Sequence, residues 1–350
     1  MQQLFFAPII SCLITLISVP IVIKLAKKAK LMDDPKTHIH PAVLHKKPIP
    51  RAGGLAIYIG IVVAAFIFVP MDQFVKIILL GGLLVVVTGV LDDKYDLSPY
   101  IRFGVNILTA VIAVYAGVTV PFITNPLGGI LHFTNIQFTF LSHVFHVGDI
   151  LAVVWIVWVM NMLNWSKGVD GQMPGIAAIS AFVIGLAALR FLPVEHLSFT
   201  TSLISFIVGG ASLGFLFFNF YPAKIFPGYS ATILGYFIGI LSITSGVKLA
   251  TAVLVMGVPS VDAAITIIRR ILAKKSPFWH DRGHLHHLLL NYGMGHRSIA
   301  VFYWLMSLIL GVVALSASSR GKLFVIMLVV VVVLGFVFML RAVGKKEEYD

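Results

Sequence analysis

Long apolar runs alternate with short polar segments along almost the whole chain. Their lengths are close to the roughly 20 residues that an α-helix needs to cross the hydrocarbon core of a membrane. We count eleven such runs, at residues 4–23, 53–70, 74–91, 100–117, 148–164, 174–193, 199–219, 231–246, 248–267, 298–317 and 322–341. The pattern predicts an all-α integral membrane protein with about 11 transmembrane helices, formed by a single domain over residues 1–350.

The charged residues between these runs predict an orientation. If the N-terminus lies outside, the inside segments hold all but five of the 26 Lys and Arg residues, most densely at 24–51 and 268–297. Cytoplasmic loops carry an excess of Lys and Arg, so we expect a multi-pass protein of the cytoplasmic membrane with a cytoplasmic C-terminus. Residues 118–147 then lie outside, and their alternating polar and apolar positions predict an extracytoplasmic β-hairpin.

Composition supports the membrane assignment and narrows the partners. The chain is 59% hydrophobic and 11% charged, with a mean hydropathy of +0.99, which excludes an ordinary soluble domain. The net charge of +12 reflects the cytoplasmic bias and an attraction to anionic membrane lipid, so we expect no nucleic-acid partner. The single Cys12 excludes an intramolecular disulfide and a Cys-based metal site.

The third apolar run ends abruptly in acidic residues. Asp92 and Asp93 follow directly on Leu91. Paired carboxylates at a membrane surface can bind a metal ion or take a proton. They can equally be a solvated helix end, where charge costs little. The pair taken alone leaves both interpretations open.

Four other segments predicted to be cytoplasmic contain unusual residues. They are residues 45–54 with Lys46, Lys47 and Arg51; residues 161–171 with Asn161, Asn164, Lys167 and Asp170; residues 218–232; and residues 280–287 with Arg282, His284, His286 and His287. Cations and helix N-termini favour phosphate binding, and clustered His binds phosphate or metal. Each segment alone also fits a simpler interpretation, namely a basic membrane anchor, a helix cap, a turn or a solvated basic loop.

Together and in this order, the segments resemble the polyprenyl-phosphate N-acetylhexosamine-1-phosphate transferase family, over nearly the whole chain. The resemblance rests on Pro48-Ile49-Pro50-Arg51-Ala52-Gly53-Gly54, Asp92-Asp93, residues 161–171, Pro222-Ala223-Lys224-Ile225-Phe226 with Gly228, and His284-Leu285-His286-His287. The Pro-Ile-Pro-Arg loop and the His-Leu-His-His pattern are more similar to the GlcNAc-1-phosphate branch than to the phospho-MurNAc-pentapeptide translocases.

The resemblance implies a reaction and a set of site residues. A UDP-sugar would give its sugar-1-phosphate to polyprenyl phosphate at the cytoplasmic face, with Mg²⁺ on the pyrophosphate and UMP leaving, to initiate a lipid-linked cell-envelope glycan. The catalytic residues would be Asp92, Asp93 and Asp170, and the metal ligands Asn164 and Asp170. The substrate-binding residues would be Lys46, Lys47, Arg51, Asn161, Lys167, Arg282, His284, His286 and His287. The sugar, the lipid length and a homodimeric state stay open.

Two positions depart from the family's usual pattern. Lys167 stands where bacterial members usually have Asp, and Tyr229 stands where they have Asp after Gly228. Neither side chain replaces a carboxylate on Mg²⁺, which prefers hard oxygen ligands in octahedral geometry. We therefore expect weak Mg²⁺ dependence, with the Lys167 ammonium neutralising donor phosphate.

Two alternatives to an active transferase remain. One is a catalytically impaired relative that binds polyprenyl phosphate or nucleotide sugar without turnover. The other is a transporter, which fits less well because the ionisable residues of transporters lie near the bilayer midplane. Those of this chain cluster at the ends of the apolar runs.

Overall fold

A computed structural model describes residues 2–36, 47–124, 129–140, 143–191, 197–246, 249–279 and 281–344. These residues form thirteen α-helices and three short antiparallel strand pairs. The helices are α1 (Gln2–Lys28), α2 (Gly53–Phe68), α3 (Gln73–Tyr95), α4 (Pro99–Tyr115), α5 (Val147–Trp165), α6 (Gln172–Ala188), α7 (Leu197–Asn219), α8 (Thr232–Thr244), α9 (Leu249–Val255), α10 (Gly257–Leu272), α11 (Leu285–Asn291), α12 (His296–Ser316) and α13 (Ser319–Gly344).

The helices confirm an all-α membrane protein. Within the described residues, six helices are long and apolar enough to cross a membrane, namely α1, α3, α5, α7, α12 and α13, and the bent pair α9–α10 makes a seventh candidate. Four further apolar helices are shorter: α2, α4, α6 and α8 with the turn before it. The eleven predicted runs coincide in position with these elements, whereas length and composition by themselves support six or seven crossings.

The apolar run 248–267 is not the single straight helix that the sequence predicts. Its described part is α9 followed by α10, and the two axes differ by 84°. Pro259 explains the break, because a proline inside a helix has no N–H to donate and its ring collides with the carbonyl four residues earlier, here that of Val255. The bend directs α10 toward the site described below.

The helices pack closely through small residues. α1 packs mainly on α7 and α2, and α5 packs mainly on α8. A methyl group on Gly210 would lie 2.1 Å from the Pro8 carbonyl oxygen, and one on Gly235 would lie 2.5 Å from Met160 Cα. Such contacts between backbones are typical of helix interfaces in membranes.

Three strand pairs connect the helices. β1 (Met32–Asp33) pairs with β2 (Ile49–Pro50), and this pairing places the segment before α2 beside the end of α1. β3 (Phe122–Thr124) pairs with β4 (Ile130–His132), and β5 (Gln137–Phe140) pairs with β6 (His143–His146). The last two pairs fill the connection between α4 and α5.

Candidate active site

A cavity of about 1090 Å³ lies where the C-terminal ends of α1, α3 and α5 meet the N-terminal end of α4 and the loops before α2 and α8. It collects residues that are far apart in the sequence. The predicted site residues that line it are Lys47, Arg51, Asp92, Asp93, Asn161, Asn164, Lys167, Asp170, His284, His286 and His287. Arg282 is exposed and is not among the lining residues, and Lys46 is outside the described residues.

Asp93 is buried at the end of α3 and is held by the loop before α8. Its Oδ1 accepts a hydrogen bond of 2.9 Å from the backbone N–H of Tyr229. Its Oδ2 is buried and has no hydrogen-bond partner among the described residues, although the residue lines the cavity. An unpaired buried carboxylate oxygen is costly, so this atom is a candidate to bind a cation or accept a proton.

Three glycines hold the loop before α8 in place. The N–H groups of Gly53 and Gly54 donate to the carbonyl oxygens of Phe226 and Pro227, each at 3.1 Å. A methyl group on Gly54 would lie 2.1 Å from the Ser230 carbonyl carbon, and one on Gly89 would lie 2.2 Å from Ser230 Cα. The absence of side chains therefore lets α2 and α3 contact the loop backbone directly.

Asp92, the neighbouring carboxylate, is paired with α4. Arg102 Nη1 lies 3.2 Å from each oxygen of Asp92. One turn further along α4, Asn106 donates a hydrogen bond of 3.1 Å to the hydroxyl of Tyr229. Arg102 and Asn106 therefore connect α4 to both the acidic pair and the loop before α8.

Lys167 is half-buried on the cavity wall and points toward the same loop. Its Nζ lies 3.4 Å from the carbonyl oxygen of Gly228 and 5.7 Å from the ring centre of Tyr229. Burial lowers the pKa of Lys167 to about 8, and the nearby charge of Asp93 acts in the opposite direction. The side chain is thus mainly a cation at neutral pH, within the electrostatic reach of the acidic pair.

The loop 166–171 and the last turns of α5 contain the remaining predicted site residues of this segment, Asn161, Asn164 and Asp170. Asp170 Oδ2 accepts a hydrogen bond of 3.0 Å from the N–H of Ala223, and the N–H of Gly171 donates to Asn219 at 3.0 Å. Asn161 donates to the Val157 carbonyl within its own helix, at 2.8 Å. Asn164 Oδ1 is buried and has no hydrogen-bond partner in the described part of the chain.

The histidines of residues 284–287 are packed and oriented by α10. His284 Nδ1 lies 2.9 Å from Asp262 Oδ2, and the other oxygen of Asp262 accepts the N–H of Leu285 at 2.7 Å. The rings of His284 and His286 are stacked, with centres 5.4 Å apart. A methyl group on Gly168 would lie 2.1 Å from His286 Nε2, so the His cluster is fitted against the Lys167 loop.

Two of these histidines are neutral at pH 7. Burial lowers the pKa of His287 to about 4 and lowers the pKa of His286 well below its usual range. Neutral imidazoles can still donate one hydrogen bond each. They contribute no positive charge toward a phosphate, and the sequence-based expectation of phosphate contact here therefore depends on hydrogen bonding.

Positive charge on that side of the cavity comes from α10. Arg269 and Arg270 bind Asp281 at 2.7 Å and 3.0 Å. Burial would raise the pKa of Asp281, but hydrogen bonds from Arg270, the Gly283 N–H and Arg269 lower it to about 2. On the opposite side, Arg51 pairs with Asp33 at 2.8 Å.

Sequence reasoning missed Arg102, Asn106 and Asp262. A signal for the first two was present, because Arg102 and Asn106 are polar residues four positions apart inside a predicted apolar run, where ionisable side chains usually mark function. Asp262 lies in the run 248–267, and the bend between α9 and α10 brings it to His284.

Comparison with known proteins decides the family. The pattern of glycosyl transferase family 4 matches residues 75–246. A probable undecaprenyl-phosphate N-acetylglucosaminyl 1-phosphate transferase of Bacillus subtilis is 34% identical over 345 residues, which cover 95% of this chain and 90% of that protein. The chain belongs to glycosyl transferase family 4, in its GlcNAc-1-phosphate branch.

Two other relatives agree with this family 4 assignment. A decaprenyl-phosphate N-acetylglucosaminephosphotransferase of Mycolicibacterium smegmatis is 30% identical, over 79% of this chain and 73% of that protein. An undecaprenyl-phosphate alpha-N-acetylglucosaminyl 1-phosphate transferase of Escherichia coli K12 is 25% identical, over 84% of this chain and 78% of that protein. The resemblance seen in the sequence motifs is confirmed.

The magnesium ion that the family resemblance implies does not fit the side chains present. Among the described residues, no group of three or more Asp, Glu, His or Cys side chains is placed to hold a metal ion. Asp92 is paired with Arg102, and Asp93 Oδ1 is bound to the Tyr229 N–H. The ammonium of Lys167 already lies near both carboxylates.

Proposed function

We propose that this family 4 member transfers N-acetylglucosamine-1-phosphate from a UDP-sugar to polyprenyl phosphate at the cytoplasmic face of the cell membrane, and so initiates a lipid-linked cell-envelope glycan. The observation that carries the proposal is the cavity, which gathers the residues of five separate sequence motifs at one end of the apolar helices. The names of the relatives support the polyprenyl-phosphate acceptor and the N-acetylglucosamine phosphate group that is transferred.

The cationic side chains of the cavity suit two anionic substrates. Its lining includes Lys27, Lys47, Arg51, Arg102, Lys167, Lys224 and Arg270. Joining two phosphates requires cations and hydrogen-bond donors aimed at the charge that develops on the transferred group. These side chains, placed on several helices, would hold the acceptor phosphate and the diphosphate of the donor in one site.

The reaction is a phosphoryl transfer. An oxygen of polyprenyl phosphate forms a bond to the phosphorus that carries the sugar, and the bond from that phosphorus to UMP breaks. If the acceptor binds as its monoanion, Asp93 would take the remaining proton, since this residue lines the cavity and its Oδ2 has no hydrogen-bond partner among the described residues. Arg102 would hold Asp92 in place and contribute positive charge.

The membrane arrangement follows from the same proposal. Eleven crossings result if the six long helices, the bent pair and the four shorter apolar helices all span. The odd number puts the two termini on opposite sides, and the Lys and Arg bias of the loops favours an outside N-terminus and a cytoplasmic C-terminus. The cavity would then lie on the cytoplasmic side, where nucleotide sugars are made. The strand pairs between α4 and α5 then face the outside.

A reconstituted assay tests the proposal. The full-length protein in lipid nanodiscs is incubated with polyprenyl phosphate and each of several UDP-sugars, and lipid-linked product and released UMP are both measured. We expect both products with UDP-N-acetylglucosamine and neither with an Asp93→Asn variant. Release of UMP without lipid-linked product, or no product with any UDP-sugar, would contradict the proposed transfer.

A further inference from the structure

Two cationic side chains from different elements lie over the ring of Tyr229. Lys167 Nζ is 5.7 Å and Arg102 Cζ is 5.2 Å from its centre. Both distances are within the range in which a cation is attracted to the face of an aromatic ring. The ring is fixed at both ends, because the Tyr229 N–H donates to Asp93 and the hydroxyl accepts from Asn106.

The same two cations face the acidic pair. Arg102 binds both oxygens of Asp92 at 3.2 Å. Lys167 is hydrogen-bonded to the Gly228 carbonyl, and the charges of Asp93 and Asp92 both favour its protonated form. Two negative and two positive side chains therefore meet around one aromatic ring on the cavity wall.

We propose that Lys167 and Arg102, held against Tyr229, are the counter-charges of Asp92 and Asp93, so that this cavity binds a nucleotide diphosphate without a divalent cation. The diphosphate part of this inference rests on the proposed function. The counter-charge part does not, because it concerns only residues of this chain.

A divalent ion at the acidic pair would meet unfavourable surroundings. Asp93 Oδ2 and Asp92 Oδ1 are the oxygens of the pair without a hydrogen-bond partner among the described residues, and of the two only Asp92 Oδ1 has an ion-pair contact with Arg102. An ion bound to Asp93 Oδ2 would be repelled by the nearby ammonium of Lys167. Residue 229 is a tyrosine and supplies no carboxylate ligand to such an ion. Mg²⁺ needs several hard oxygen ligands in octahedral geometry, and the ion pair with Arg102 engages the oxygens of Asp92.

The first test measures metal binding in the absence of substrate. Mn²⁺ is titrated into the full-length protein in nanodiscs, and free Mn²⁺ is followed by electron paramagnetic resonance. We expect no Mn²⁺ binding that depends on Asp93 in the parent protein, and such binding in the Lys167→Asp/Tyr229→Asp double variant. Mn²⁺ binding by the parent protein that Asp93→Asn removes would overturn the proposal, whether or not the protein is a transferase.

The second test measures UDP binding by calorimetry with excess Mg²⁺ and with excess chelator. We expect the two dissociation constants of the parent protein to differ by less than about tenfold, the change that ~1.4 kcal/mol produces. In chelator, Lys167→Met should weaken binding by at least about tenfold, while Lys167→Arg, which keeps the charge, should bind within about that factor of the parent. Binding by the parent protein that disappears in chelator would overturn the proposal.

Variants that fail to fold are recognised by thermal melting in the same nanodiscs. Tyr229→Phe keeps the ring and loses only the bond to Asn106, so it should retain metal-independent binding. Tyr229→Leu removes the ring that both cations face, and we expect it to weaken UDP binding in chelator. Equal binding by the Phe and Leu variants would show that the ring does not hold the two cations.

Discussion

Gly228 and Asp93 are so close that a methyl group on Gly228 would lie 2.1 Å from Asp93 Oδ2. Gly228 also has a φ of 67° and a ψ of −175°, a conformation that residues with a side chain rarely adopt. The position of the buried carboxylate therefore depends on the absence of a side chain at residue 228.

We expect Gly228→Ala to displace Asp93 and to lower the transfer rate by roughly 10², the loss that a shift of about 1 Å can cause in an active site. Gly104→Ala is the matched control, because a methyl group on Gly104 in α4 would meet nothing within 4 Å. The rate of lipid-linked product formation measures the effect. If Gly228→Ala transfers at the rate of the parent protein, the reaction does not depend on the exact position of Asp93.

Replacement of the carboxylates tests them directly. We expect Asp93→Asn and Asp92→Asn each to lower the rate by roughly 10² or more, because proton transfer by a positioned group contributes about 10² to 10⁴. In addition, Asp92→Asn leaves Arg102 without its ion pair. The control is Asp72→Asn at the opposite end of α3, where Asp72 caps the helix by accepting from Val75 and Asn is an equally good cap.

Unchanged melting temperatures in these variants would separate a catalytic effect from unfolding. Near-parental turnover in both Asp93→Asn and Asp92→Asn would return the pair to the simpler interpretation of a solvated helix end.

Asp262 contacts His284 and the N–H of Leu285, so we expect it to be a positioning residue for the histidine segment. Asp262→Asn turns an acceptor of two hydrogen bonds into a partial donor, and hydrogen bonds to charged groups contribute about 1.5 to 3 kcal/mol each. We expect kcat/KM for the UDP-sugar to fall by about 10- to 150-fold, the equivalent of that range. If the effect passes only through His284, Asp262→Asn should cause no further loss in a His284→Ala background. An additive loss would assign Asp262 a separate role.

The sequence predicted the apolar helices well, because each run is long and its hydrophobicity is a local property. The bend before Pro259 was missed, since run length and hydropathy hide a single backbone break. The convergence of distant motifs on one cavity followed from family resemblance. The pairing of Arg102 with Asp92 did not, because no local pattern shows which face of α4 meets α3. The contact of Lys167 with Tyr229 likewise depends on tertiary packing between positions 62 residues apart.

Topology is tested by labelling introduced cysteines in a Cys12→Ser background. Lys275 and Asn135 are both exposed and lie on opposite sides in the proposed arrangement. We expect a membrane-impermeant maleimide to label Asn135→Cys in intact cells and Lys275→Cys only after the membrane is opened, because the basic segment 268–297 should be cytoplasmic. Labelling of Lys275→Cys in intact cells would show that the orientation is the reverse of the proposed one.

The pH dependence of nucleotide binding tests whether Lys167 acts as a cation. Burial lowers its pKa to about 8, from an ordinary value of 10.5. A group with a pKa near 8 is mostly protonated at pH 7 and only about one tenth protonated at pH 9. If its positive charge holds the diphosphate, UDP binding should weaken as the pH rises through 8, by up to about tenfold by pH 9.

As the pH rises, the titration of Lys167 should weaken UDP binding but increase its contribution to the stability of the fold. The two effects can therefore be distinguished. Because the folded pKa lies below the unfolded one, the unfolded chain binds more protons between about pH 8 and 10.5, and the contribution of Lys167 to stability rises with pH in that window. Weaker binding above pH 8 therefore cannot be attributed to unfolding caused by Lys167. Lys167→Arg is the control, since arginine stays charged throughout and should give binding that does not change between pH 7 and 9. Equal pH profiles for the parent protein and Lys167→Arg would exclude Lys167 as the group that holds the diphosphate.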